Sequence, residues 1–225
     1  MNKRRKESLA IKAYTLIKKK IITLEFKPGM KLEEKDLAGN IGLGRTPIRE
    51  AIKMLISEGL IINYGSNSTY VKDFSLKASK DLMSILYHLG NIIFDLASLN
   101  GDLDPEIKGQ LEELYEEMDE DVKKREYLKF VDHNSSFHKA LAKIANNEYL
   151  DLFIDRLYNE EIRLSFILSG EKVNLTPTRQ HYEKMQTQHR ELVGLLKKRD
   201  FEALKASYHS HLKEGQKRLI DYFNP

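Results

Sequence analysis

The stretch Gly44-Arg45-Thr46-Pro47-Ile48-Arg49-Glu50-Ala51-Ile52-Lys53-Met54-Leu55-Ile56-Ser57-Glu58 decides how the N-terminal part of this chain folds. Ile48, Ala51, Ile52 and Leu55 fall on one side of a helix with 3.6 residues per turn, whereas Arg45, Arg49 and Lys53 stand on another side at i, i+4 and i+8. Pro47 lies in the first turn, where a missing N–H is tolerated and the end of the helix is stiffened. One face packs and the other presents three cations. A helix divided in this way can enter the major groove of B-DNA, where a bidentate Arg reads guanine and Lys holds phosphate.

The neighbouring residues complete a module around this helix. From Leu9 to Leu24 the apolar residues Ala10, Tyr14, Ile17, Ile21 and Leu24 recur at helical steps, and Phe26-Lys27-Pro28-Gly29 stops that helix. Glu33 to Ile41 reads as a second, short helix ended by Gly42 and Gly44. After Gly59, Leu60 to Tyr64 and Thr69-Tyr70-Val71, joined by Gly65-Ser66-Asn67-Ser68, read as a β-hairpin. Three helices and a hairpin make a winged helix-turn-helix over residues 1–72. Residues 73–79 read as a linker. Residues 80–225 read as helices over 80–99, 105–123, 125–145, 148–168, 177–198 and 200–223, short-linked and therefore packed as an antiparallel bundle. The fold expected is mainly α.

Charge divides the chain at the same place. Its 225 residues hold 37 Lys plus Arg and 34 Asp plus Glu. Residues 1–72 carry 15 basic against 7 acidic side chains, leaving 22 against 27 for the remainder. A basic module joined to an acidic one suits a polyanion-binding domain attached to a second unit. There is no Cys, which excludes disulfides, thiolate metal sites and a cysteine nucleophile. The opening MNKRRKES lacks an apolar core for export, and no later stretch runs ~18 residues without a charge, so a cytoplasmic chain with no membrane span is expected.

All seven histidines lie in the second part. On helical wheels His88, His133, His181 and His209 share faces with charged or polar residues and read as solvated. His138 lies in the stripe Tyr127, Val131, Asn134, Leu141, Ala145; His189 in Tyr182, Met185, Leu192, Leu196; His211 in Leu204, Tyr208, Gly215, Leu219. Three imidazoles therefore point into one interior from three helices. A divalent ion would satisfy their nitrogens together, with Asn134 one turn before His138 able to add an amide oxygen. Three nitrogens and one weak oxygen suit Zn²⁺ or Ni²⁺. A metal-free ligand pocket and a metal-dependent hydrolase are the alternatives; the second needs a general base, and the stripes around the three His contain no Asp or Glu.

Two resemblances sharpen these readings. Pro28 to Leu32 (PGMKL), Asp36 to Ala38 (DLA), Ile41 to Ile52 (IGLGRTPIREAI), Leu55 to Ile61 and Gly65 resemble, in order and spacing, the DNA-binding domain of the GntR family of bacterial transcription regulators. The resemblance implies that Arg45 and Arg49 read bases, while Lys35, Thr46 and the wing near Gly65 position the phosphate backbone, with Lys53 on the same face. Gly44 stands where family members commonly have Ser or Thr, which removes a side-chain N-cap. Asn134-Ser-Ser-Phe-His138, Gln188-His189 and His211-Leu212 are similar to the metal-binding FCD effector domain of the FadR branch. That resemblance implies His138, His189, His211 and Asn134 as ligands of a divalent metal, a small organic acid as effector, a homodimer, and double-stranded DNA with a palindromic operator as partner. The branch commonly has Asp where this chain has Asn134. Many members grip the acid with an Arg in the first effector-domain helix; Leu89 or Gly90 stands there in this chain, and Arg163 is the substitute candidate. Together these imply a transcription regulator, most often a repressor relieved by its effector.

Overall fold

Ser8 starts the first helix, α1 (Leu9–Ile22): its hydroxyl accepts the Ile11 N–H at 3.2 Å, satisfying one of the amides a helix start leaves open. In this computed structural model the described residues are 8–64, 68–169 and 179–223. They fall into two compact units that divide between Phe74 and Ser75.

In the first unit α1 is followed by β1 (Lys31–Leu32), α2 (Glu34–Ile41), α3 (Arg45–Ser57), β2 (Ile61–Asn63) and β3 (Thr69–Val71). Gly42 closes α2 in the left-handed region at φ 71°, where a Cβ would be strained. Gly44 caps α3 without any side-chain bond, as its lack of a hydroxyl requires. Helix α1 packs on α3, and Ala13, Ile17, Ile21, Ile48, Ala51 and Leu55 are all fully buried. Each isoleucine or leucine among them contributes about 1.5–3 kcal/mol when removed from water. Lys18 Nζ meets Glu58 Oε2 at 2.8 Å and Tyr14 donates to the same carboxylate, tying the two helices at their polar edge. The hairpin is antiparallel with Ile61 opposite Val71 and Asn63 opposite Thr69. One strand was not expected: β1 pairs with β3, Lys31 opposite Tyr70, giving the sheet order β1-β3-β2. A two-residue edge strand has no alternation to detect; only the partner strand makes it one.

The second unit contains α4 (Leu76–Leu99), α5 (Pro105–Lys124), α6 (Tyr127–Lys143), α7 (Glu148–Ser169), α8 (Arg179–Lys198) and α9 (Phe201–Phe223). Helix α4 begins inside the expected linker, because Ser75 Oγ accepts the Ala78 N–H at 3.1 Å and so supplies a cap. Residues 177 and 178, expected in α8, lie outside the described residues. Helix α9 packs against α4, α7 and α8, while α6 packs against α5 and α7. Helix α4 is long and apolar enough to cross a membrane by length and composition. Its Met83, Leu86, Leu89, Ile93, Phe94 and Ala97 are instead buried in the bundle. Gly90 is what allows α4 to meet α9 closely: a Cβ at this position would overlap the Tyr208 ring. Gly90, one of the two positions at which the resemblance places an arginine, is thus covered by an aromatic side chain.

Candidate functional site

Two arrangements carry chemistry, one in each unit. In the first, Lys35 on α2 and Arg45, Arg49 and Lys53 on α3 line a single concave surface together with Lys31, Glu33, Glu34, Asn63 and Thr69. The helix period does this for α3, since burial of Ile48, Ala51, Ile52 and Leu55 forces the three cations outward. Thr46 is exposed on the first turn of α3 outside that lining. Gly65 lies outside the described residues. Arg49 donates from Nε to Glu34 Oε2 at 2.7 Å, a partner that sequence inspection missed because the two residues sit on different helices.

In the second unit α6 supplies Asn134 and His138, α8 supplies His189 and α9 supplies His211. All four are buried, His189 completely. One ring nitrogen from each histidine lies within 4.8 Å of the other two. His138 Nε2 and His211 Nε2 are 3.1 Å apart, and His211 Nδ1 lies 3.0 Å from Gln188 Oε1. That second contact orients the His211 ring from outside, as metal-bound histidines commonly require.

The fit to a cation can be judged from the atoms left over. Both nitrogens of His189, Nδ1 of His138 and Oδ1 of Asn134 are buried with no hydrogen-bond partner among the described residues. Histidines serving only as core filler would have their nitrogens paired, since an unmet buried polar group costs about 1–3 kcal/mol. Burial drives His138 and His189 well below the ordinary imidazole pKa, with the neighbouring histidines adding to the effect, and burial lowers His211 to about 4. The rings are therefore neutral and offer lone pairs. Nitrogens bound at ~2.0–2.1 Å to one ion, tetrahedrally or at right angles, lie about 2.8–3.4 Å apart, a range that includes the His138–His211 spacing of 3.1 Å. The donor set fits a divalent cation.

Asn134, His138 and His211 also line a cavity of about 90 Å³, walled by Phe130, Tyr158, Tyr182 and Tyr208 and other apolar side chains. Several waters or one small organic molecule fill such a space. Its charged lining departs from the sequence reading in three respects. Arg163 is not among the lining residues; it is fully buried with Nη1 on Glu160 Oε2 at 3.0 Å, because its position on α7 faces the core. Arg218 takes the place expected of it, lining the cavity and donating from Nη2 to Leu168 O at 2.6 Å. Two carboxylates do stand at the cavity: Glu214, paired with Lys184 at 2.8 Å, and Glu161, whose Oε1 accepts from Ser165 Oγ at 2.7 Å and whose Oε2 is buried with no hydrogen-bond partner among the described residues. Burial raises the pKa of Glu161 to about 7. Glu161 and Arg218 escaped notice because neither belongs to a histidine stripe.

Three of the four histidines read as solvated are half-buried and make contacts within the unit. His181 lines the cavity, with burial lowering its pKa to about 4. His133 Nδ1 meets the buried Asp121 carboxylate at 2.7 Å, and His209 stacks on Tyr87 with ring centroids 3.7 Å apart. Helical wheels see one helix at a time, so a partner arriving from the next helix is invisible to them. His88 is exposed, as expected.

Comparison with known proteins bears on both units. Residues 9–71 match the model of bacterial regulatory proteins of the gntR family, and residues 94–214 match the FCD domain. The chain is 26% identical over 208 residues to the uncharacterized HTH-type transcriptional regulator YdhC of Bacillus subtilis, covering 92% of this chain and 88% of that one. It is 23% identical to the gluconate operon transcriptional repressor of Bacillus licheniformis, covering 95% and 86%. Among solved structures E. coli McbR/YncC superposes with a TM-score of 0.78 at 24% identity, covering 96% of this chain and 99% of that one, which shows a shared fold. These families and relatives are transcription regulators and not enzymes, so the hydrolase alternative falls. The chain belongs to the GntR family of bacterial transcription regulators and carries an FCD domain as its C-terminal unit.

Proposed function

We propose that this regulator is a cytoplasmic, homodimeric repressor that binds a palindromic operator and is released by a small organic acid held beside a divalent metal in the C-terminal unit. In this reading residues 1–72 bind DNA and residues 80–225 bind the metal, the acid and the second subunit. Arg45 and Arg49 read bases, and Lys35, Thr46, Lys53 and the wing at Gly65 hold the backbone; the shared concave surface of four of these cations supports the assignment. The repressor named among the relatives supports the sign of regulation.

The observation that carries the ligand reading is the set of buried donor atoms on Asn134, His138 and His189 that have no hydrogen-bond partner among the described residues, with Asn134 and His138 lining a cavity that Arg218 and His181 also line. A cation bound there, Zn²⁺ or Ni²⁺ on donor type, supplies a positive anchor for a carboxylate. Arg218 offers a second positive group at the same cavity, doing what was expected of Arg163. The acid controls DNA binding by favouring one conformational state of the chain over another. Dimerisation is supported by apolar side chains left in water on two helices that touch each other, α4 and α7: Ile85, Ile92 and Leu99 on one, Tyr149, Leu152 and Phe153 on the other.

A metal-free pocket is favoured by one contact. Two neutral imidazoles can share a proton between Nε2 atoms 3.1 Å apart without any ion. Native mass spectrometry with elemental analysis decides between these readings, since it reports subunit count, bound metal and a co-purified acid together. Metal-free protein whose melting temperature ignores chelator leaves only the metal-free pocket. For the DNA reading, Arg49→Ala should weaken specific binding by ~1–3 kcal/mol and relax selectivity at one base position; unchanged affinity would remove α3 from the groove.

A further inference from the structure

Arg49, on the concave surface of the first unit, is held by a carboxylate from another helix. Its side chain is 62% exposed, yet its Nε–H is already used, donated to Glu34 Oε2 at 2.7 Å. Glu34 opens α2, and Arg49 stands one helical turn into α3. A guanidinium presents two flat edges to a bidentate acceptor: Nε with one Nη, or the two Nη together. A carboxylate on Nε blocks the first edge, leaves the second open and fixes the plane of the group.

We propose that Glu34 is a positioning residue for DNA recognition: by holding Nε it aims the Nη1/Nη2 edge of Arg49 at a guanine and withdraws the side chain from the phosphates. The inference rests on the reading of α3 as the groove helix. Two consequences follow from charge and geometry. Fixing the plane before binding removes rotamer freedom that would otherwise be lost on the DNA, which favours the cognate base. A carboxylate among the cations opposes any phosphate that approaches without the matching base, so non-specific binding is held down. Glu34 thereby widens the gap between specific and non-specific affinity from both sides. The neighbouring Glu33 is engaged elsewhere, with Lys31 at 2.9 Å, so the role is not shared.

The test uses full-length protein and a duplex selected by the wild-type protein from a random-sequence pool, with an unselected duplex as reference. Glu34→Gln should lower affinity for the selected duplex about 3- to 10-fold, raise affinity for the unselected one, and steepen the salt dependence by about one phosphate equivalent. Replacing each guanine in turn by 7-deazaguanine, which lacks the N7 acceptor, should find one position where the wild-type penalty shrinks in the variant. In an Arg49→Ala background Glu34→Gln should leave the ratio of specific to non-specific affinity unchanged. A ratio that stays constant on Glu34→Gln in the Arg49 protein overturns the proposal, as does an equal rise for both duplexes, which would mean that Glu34 merely repels DNA. Loss of the ratio in both backgrounds marks damage to folding and also overturns it. If the wild-type protein selects no sequence at all, the DNA reading fails and this inference with it.

Discussion

His138 Nε2 faces His211 Nε2 across 3.1 Å, with both rings buried and neutral. The two residues are 73 positions apart, and nothing in the core requires two imidazoles to meet there. His189, with neither nitrogen partnered among the described residues, completes the group. Such a cluster is costly for the folded chain alone and favourable once a cation is shared among the rings.

His189→Ala should lower metal content and melting temperature together. A ligand that binds only the folded state at 100 times its Kd contributes about 2.7 kcal/mol, and this contribution is what the variant loses. Thermal melting with and without chelator checks it: the wild-type protein should melt lower in chelator, and the variant should be indifferent.

Asn134→Asp should change stability in opposite directions with and without metal. A carboxylate here adds a negative charge against the cation and should tighten binding by roughly tenfold, or about 1.4 kcal/mol. Without metal the same group is a buried charge with no partner, so the apo variant should melt below the apo wild-type protein. Calorimetry with Zn²⁺ and melting after chelation report the two halves.

Glu161 should make the second unit less stable as pH rises. Its folded pKa of about 7 lies above the ordinary carboxylate value of 4.5. The folded state therefore holds the proton more strongly, and the penalty of ionising the buried acid grows between those two pH values. Glu161→Gln should remove that fall and stabilise the protein by about 1–3 kcal/mol at pH 8, while changing little at pH 4. The buried histidines act with the other sign: His181 and His211, near 4 when folded, bind protons more readily once unfolded, so stability should climb from pH 4 towards 6.5. Denaturant titrations across pH for both proteins separate the two slopes.

Gly90→Ala should destabilise the bundle by about 1–3 kcal/mol, because the added methyl meets the Tyr208 ring and α4 must move away from α9. In a Tyr208→Ala background the same methyl has room, so the two losses should not add. Urea melts of the four proteins test this.

Leu99→Asp with Phe153→Asp should yield monomers. Both side chains are more than half exposed on touching helices, and a charge on each costs nothing in the isolated subunit but opposes burial against a second copy. Sedimentation of the variant beside the wild-type protein reports subunit count directly; a dimer that persists would remove this face from the interface.

How much of the molecule could be read from the residues depends on whether a feature repeats along one element. Apolar spacing placed α1, α2, α3 and the six later helices to within a few residues, because burial on one side of a helix imposes its own period. The same spacing brought Asn134, His138, His189 and His211 to the interior, since each belongs to an apolar stripe of its own helix. Tertiary packing decided what has no period. It set the β1 pairing, buried Arg163 away from the cavity, and brought Glu161, His181 and Arg218 to it. It also joined Glu34 to Arg49. Each of these depends on which face or edge of a neighbouring element arrives, and a single element carries no record of that.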